Sequence, residues 1–248
     1  MKKIIGCYCL MLLCLVVGAQ KVIVKITKTS IVKDSSGLNY PYAIWQKLFQ
    51  TGNYGIKAID PANVNTEFII YKYNEAQKRI ADSLKSIRAE HAPKPVESKF
   101  FKTGDKLTQF SERDINGKKI SIKELQGKVV VLNFWFVNCP PCRNEIPELN
   151  KLVDKYQDSN NVVFIAVSLD NIAYIKEFLK TQPFKYRIID DGGFVAQKTY
   201  GINLYPTHVV VDTKGIIRFH TSGLTSGTIK WIDKTIESCL ADAANPSL

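Results

Sequence analysis

Little in this chain could hold a metal ion or read a nucleic acid. Its 248 residues include only three histidines, His91, His208 and His220, and no two of them form a ligand pair. A structural zinc site takes four Cys or His ligands, so any cysteine pair here lacks partners for zinc and no metal is expected. There is no internal repeat and no low-complexity tract, which sets aside repeat architectures. Nor is there a basic run interleaved with aromatics: the net charge of +11 is spread over both halves of the chain. A solvated surface explains it, attraction to an anionic membrane surface or acidic partners is the other reading, and nucleic acid is not expected as a partner. The apolar stretch 4–17 falls short of the ~20 residues of a spanning helix.

That stretch follows Lys2 and Lys3 and ends at Val17-Gly18-Ala19, small residues suited to cleavage before Gln20. Residues 1–19 therefore read as a secretory signal peptide. Cys7, Cys9 and Cys14 fall inside it; a lipidated cysteine wants a small residue before it, and Cys14 follows Leu13. An uncleaved anchor is the alternative. Export, to the periplasm or beyond, puts the mature chain where disulfides persist. About 229 residues remain after cleavage, enough for one sizeable core and a small extra domain.

Residues 91–99 hold two prolines and mixed charge, as a linker would. Before them lies an accessory region, 20–90, with strands expected at 22–26 and 68–71, a turn at 34–37 and helices at 42–50 and 74–90. Tyr40, Tyr42, Trp45, Phe49 and Tyr54 are expected to form its small core; exposed, they would make a docking surface. In 100–242 strands alternate with helices. The runs 129–137 and 162–167 are continuously apolar, as in strands buried on both faces. Helices are expected at 172–179, 195–200 and 228–240, a strand at 186–189, and a hairpin around Asp212-Thr213-Lys214-Gly215. The fold class is α/β, a mixed sheet flanked by helices.

Cys139-Pro140-Pro141-Cys142 follows the first of those runs and opens a helix that places Ile146, Leu149, Leu152, Val153 and Tyr156 on one side. Two thiols at this spacing can close a small disulfide. The first, Cys139, is expected at the exposed helix start, where the dipole favours the attacking thiolate; Cys142 is the resolving thiol. Proline suits the first helical turn, whose N–H groups have no intrahelical partner.

Phe134-Trp135 leading into these cysteines, Pro147 five residues after the second, and Tyr205-Pro206-Thr207 before an apolar strand together resemble the thioredoxin fold, and within it the exported TlpA/ResA type of thiol-disulfide oxidoreductase. The resemblance spans about 101–240. It implies a cis-proline at Pro206 facing the cysteines, a helix bent at Pro147, and an insertion over about 170–200. It also implies protein disulfide substrates met by Trp135, Phe136 and Tyr205, a membrane thiol carrier as electron donor, no small-molecule cofactor, and reduction in cytochrome c maturation or in rescue of wrongly oxidised proteins.

Glu145 matches the acid this branch carries three residues after the second cysteine, nearly one helical turn away, where it can act on the thiols; an exposed acid complementing the dipole is the plainer reading. Asn133 stands where cytosolic thioredoxins have a buried aspartate. The chain departs from the pattern at Val137-Asn138, where a tryptophan usually precedes the first cysteine. His208 is expected to point away from the site, and Cys239 to be an inert buried thiol. Two other functions stand beside the oxidoreductase. One is a non-catalytic docking or metal-delivery module using the accessory region. The other is a peroxidase of the peroxiredoxin kind, although Leu132 and Phe136 occupy the places of its proline and threonine.

Overall fold

The computed structural model describes residues 24–244. The leader 1–19 and the first two residues of the strand expected at 22–26 lie outside the described residues. The chain divides into two compact units, the first ending at Lys78 and the second starting at Arg79.

The first unit contains β1 (Val32–Lys33), α1 (Tyr42–Gln50), β2 (Tyr54–Ala58), β3 (Phe68–Lys72) and the first turn of α2 (Glu75–Glu90). β3 is central, with β1 parallel on one edge and β2 antiparallel on the other. Phe68 and Ile70, two apart in β3, turn one way and meet Val32 and Trp45. Tyr40, Tyr42 and Tyr54 pack around this cluster, whereas Phe49 is 49% exposed. The turn at Asp34 forms: its carboxylate accepts from the N–H groups of Ser36 and Leu38, and Gly37 takes φ +88. The strand expected at 22–26 does not form over 24–26. A strand needs a ladder partner, and among the described residues none runs beside these three; Val24 packs on the cluster and a turn follows at Thr27.

The second unit carries β4 (Ser111–Arg113), β5 (Lys119–Ser121), a 3-10 turn (Ile122–Leu125), β6 (Val129–Trp135), α3 (Pro140–Lys155), β7 (Val162–Ser168) and α4 (Ile172–Leu179). β8 (Arg187–Ile189), a π-helical turn (Phe194–Thr199), β9 (Thr207–Val211), β10 (Ile217–Ser222) and α5 (Thr228–Ala244) complete it. The main sheet has the order β10-β9-β6-β7-β8, parallel across β6-β7-β8 and antiparallel across β6-β9-β10. Every residue of β6 is buried, and alternation divides it between two cores. Val129, Val131 and Trp135 face α3, α4 and α5; Val130, Leu132 and Phe134 face the 3-10 turn, the π-helical turn and Leu107. The helix expected at 195–200 is that π-helical turn, and the β4–β5 hairpin is an addition to the sequence reading.

Residues 91–99 lie along this unit instead of hanging free: Thr221 donates to the Val96 carbonyl at 2.9 Å, the Trp231 indole donates to the Ala92 carbonyl, and Ser98 is buried. No helix among the described residues is long and apolar enough to cross a membrane.

Pro147 sits inside α3 and has no N–H for the carbonyl of Arg143, four residues earlier. Gln182 supplies the missing donor, its side-chain Nε2 lying 2.7 Å from that oxygen. Nearby, Asn150 accepts from the N–H of Lys185 and donates to the Pro183 carbonyl, tying the same segment to α3. Gln182→Ala is expected to lower stability in urea unfolding by ~1 kcal/mol through the unsatisfied carbonyl. The loss should shrink in a Pro147→Ala background, where residue 147 has its own N–H; equal losses in both backgrounds would disprove the pairing.

Candidate active site

β6 delivers the chain to the site through a turn that the neighbouring β7 end holds in place. Asp170 Oδ2 accepts from the Val137 N–H at 2.6 Å and from Ser168 Oγ at 3.1 Å, and the Cys139 N–H donates to the Phe136 carbonyl. Cys139 is then the N-cap of α3, in extended conformation (φ −94, ψ 102), and its sulfur accepts from the Cys142 N–H at 3.3 Å. Pro140 and Pro141 open the helix without wasting a donor. Cys139 and Cys142 are joined in a disulfide with their Cα atoms 5.3 Å apart.

The expectation of an exposed Cys139 is corrected. In the disulfide it is only 3% exposed, because it lies in the apolar cluster with Val137, Cys142 and Ile146, against which Phe136 and Tyr205 pack. Phe136 and Tyr205 meet edge to face at 5.5 Å, both half-buried. The Tyr205-Pro206 bond is cis, and Pro206 is buried with its carbonyl accepting from Gly223. Leu204 and Phe194 are exposed. Trp135 is different: it is fully buried among Phe178 and Phe184, with ring centroids 5.6 and 5.4 Å away. It faces the helical core, not the surface, so the expected substrate contact does not hold for it.

Glu145 is not the exposed helix acid of the plainer reading. It is 1% exposed and bonded on both oxygens, Oε1 accepting from Asn133 Nδ2 at 3.1 Å and Oε2 lying 3.0 Å from His208 Nε2. Asn133 Nδ2 also lies 3.3 Å from His208 Nδ1. The expectation that His208 points away is therefore corrected. Its signal was present in the sequence: side chains two apart in a strand share a face, so if Pro206 faces the cysteines, His208 does as well. Asn133 and His208 are directly opposite each other across β6 and β9. Close to this group the Tyr186 phenol is buried without a hydrogen-bond partner among the described residues, and burial together with the charge of Glu145 pushes it well above its ordinary value. Burial likewise pushes the free Cys239 thiol up to about 11. Among the described residues no group of three or more His, Cys, Asp and Glu side chains could hold a metal ion.

Residues 103–220 match the model of the AhpC/TSA family. Over 131 residues, 52% of this chain and 74% of the relative, the sequence is 32% identical to the thiol-disulfide oxidoreductase ResA of Halalkalibacterium halodurans. The chain belongs to the ResA-type thiol-disulfide oxidoreductases. A ResA of Bacillus thuringiensis is 39% identical over 114 residues, a match that spans 65% of that protein's length. The thioredoxin-like protein YneN of Bacillus subtilis is 33% identical over 126 residues, 49% of this chain and 73% of its own. Among solved structures, a candidate thiol:disulfide interchange protein DsbE from Chlorobium tepidum superposes with a TM-score of 0.52 at 26% identity, over 56% of this chain and 99% of that one. A candidate protein disulfide isomerase from Bacteroides thetaiotaomicron shares the fold, with a TM-score of 0.52 at 23% identity over 58% of this chain and 92% of its own. The thioredoxin-like fold and the enzyme class stand on these likenesses.

Asp170, absent from the sequence reading as a site residue, fixes the approach to Cys139 in this ResA-type site. Asp170→Ala should speed hydrogen exchange at the Val137 amide and cost about 1.5 kcal/mol in denaturant unfolding, the worth of a hydrogen bond to a charged group. An unchanged exchange rate at Val137 would show that the carboxylate does not hold the turn.

Proposed function

We propose that this chain is an exported thiol-disulfide oxidoreductase that uses Cys139 and Cys142 to reduce disulfides in other exported proteins. The observation that supports it above all is the disulfide between the N-cap and third residue of α3, with the first sulfur receiving a helix N–H. A thiolate at that position is stabilised by the same N–H and by the helix dipole.

In the reduced protein the Cys139 thiolate attacks one sulfur of a substrate disulfide; a mixed disulfide forms and the other substrate sulfur leaves as thiolate, taking a proton from solvent. Cys142 then gives up its proton to Glu145, attacks the Cys139 sulfur, and expels the second substrate thiolate. The substrate gains two electrons and the protein ends in the oxidised form described above. A membrane thiol carrier returns the electrons. Phe136, Tyr205 and the cis-proline Pro206 form the surface that receives extended peptide beside the disulfide. Export rests on the leader at 1–19, and the accessory region 20–90, ahead of the linker 91–99 and the domain 100–242, serves as a docking unit without a part in the thiol chemistry. Peroxidase chemistry is the less favoured reading, since Leu132 and Phe136 replace the proline and threonine that prepare a peroxide-attacking cysteine.

Cys142→Ser should trap covalent complexes with exported proteins, whereas Cys139→Ser should trap none. The reverse result would exchange the roles of the two thiols. The potential of the Cys139/Cys142 couple is expected near ~−270 mV, the range of a reductant; a value near ~−120 mV would mark an oxidant and end the reductase reading.

A further inference from the structure

The hydrogen-bond count around Glu145 fixes more than its position. Asn133 Nδ2 can only donate, and it lies 3.1 Å from Glu145 Oε1 and 3.3 Å from His208 Nδ1. Nδ1 must therefore accept, which puts the ring proton on Nε2, aimed at Glu145 Oε2 3.0 Å away. Each donor then meets one acceptor, with a neutral imidazole and an ionised carboxylate. Adding a proton to either acid oxygen or to Nδ1 sets two donors against each other. Turning the Asn133 amide over lets its oxygen accept from a protonated Oε1 while Nε2–H still donates to Oε2, but sets that oxygen against the lone pair of Nδ1, so a proton taken up here is readily given back.

We infer that His208 is a positioning residue of the thiol reaction: its Nε2–H keeps the buried Glu145 ionised and aimed, so that Glu145 is free to take the proton of Cys142. The inference rests on the roles proposed above for Cys139, Cys142 and Glu145. A carboxylate that is 1% exposed cannot rely on water to stay charged, and His208 supplies one of its two donors. The titratable groups packed on this face are Glu145, Cys139 and Cys142 from α3, Tyr156 at its C-terminal end, Tyr186 ahead of β8, Tyr205 ahead of β9, and Cys239 from α5. Arg218, Asp212 and Asp242 act on Cys239 from outside the cluster. Tyr186 and Cys239 are both pushed up, away from neutral pH. From β10, Thr221 stands opposite His208 but donates its hydroxyl to Val96. His220 pairs with Val209 and so lies on the other face.

An aromatic disulfide that releases one coloured thiolate on attack by Cys139 and a second on resolution by Cys142 separates the two steps in a single turnover of the full-length protein. If the parent reading is right, Cys142→Ser keeps the first release and loses the second; loss of the first would sink that reading and this inference with it, whereas the His208 variants below test the inference alone. His208→Leu should leave the first release within about twofold. It should slow the second roughly tenfold at pH 7 and carry its pH profile toward alkali, since a base that has taken a proton must be freed again. His208→Gln, which retains an N–H donor, should restore most of the rate. In a Glu145→Gln background His208→Leu should change nothing further. An unmoved pH profile, or an equal slowing in that background, would reduce His208 to a core residue. If His208→Leu does not fold, the imidazole nitrogen shifts of the wild-type protein decide: the Nε2–H tautomer at pH 7 supports the assignment, and the Nδ1–H tautomer or the cation overturns it.

Discussion

β6 has strands on both edges and packed layers on both faces, so its seven residues from Val129 to Trp135 are withdrawn from water. For the apolar six this is the main source of stability, ~1.5 to 3 kcal/mol for each fully buried Val, Leu or Phe side chain. For Asn133 the same dryness is a demand: an amide without partners there would cost about 1 to 3 kcal/mol. Glu145 and His208 meet it, and each is in turn satisfied by the other two. The core of the domain and the polar group of Asn133, Glu145 and His208 are thus consequences of one strand's burial.

The disulfide itself stands at the end of that strand, on a helix anchored at several points. Its first turn begins with two prolines, its approach is held by Asp170, and its middle is tied through Gln182 and Asn150 to the segment before β8. None of these ties is strong singly. Together they fix where the two sulfurs lie relative to Glu145, three residues after Cys142, which is what the proposed proton transfer over one helical turn would require.

Much of this was legible in the sequence. The C-x-x-C pair, the continuous apolar runs and the turn residues located the main sheet, α3 and the hairpin before β10, because burial on two faces and special backbone positions leave plain marks. The cis-proline was legible only through resemblance. The face of His208 follows from period-two alternation once the resemblance places Pro206, against the expectation that it points away. Cys139 was judged by its place at a helix start, and a helix start says nothing about what the neighbouring loop lays over it. The short strands β1, β2, β4 and β5 had weak local patterns; pairing with distant residues, not propensity, made them strands. Trp135 looked like a surface aromatic beside the thiols, and only its parity in β6 shows that it points into the helical core.

That parity also bears on how such a site can change. In β9, His208 and Val210 share one face, and Thr207, Val209 and Val211 the other, with the register against β6 fixed at Asn133 opposite His208. Gain or loss of one residue in the loop 201–205, if taken up by sliding β9, would turn Thr207 and Val209 toward the face of Glu145 and carry the imidazole to the face of Phe134. Substitutions in this domain can tune the thiols by degrees, whereas a change in loop length would exchange one set of chemical groups for another in a single step. The loop's length is as much a part of the reaction's machinery as the side chains it precedes.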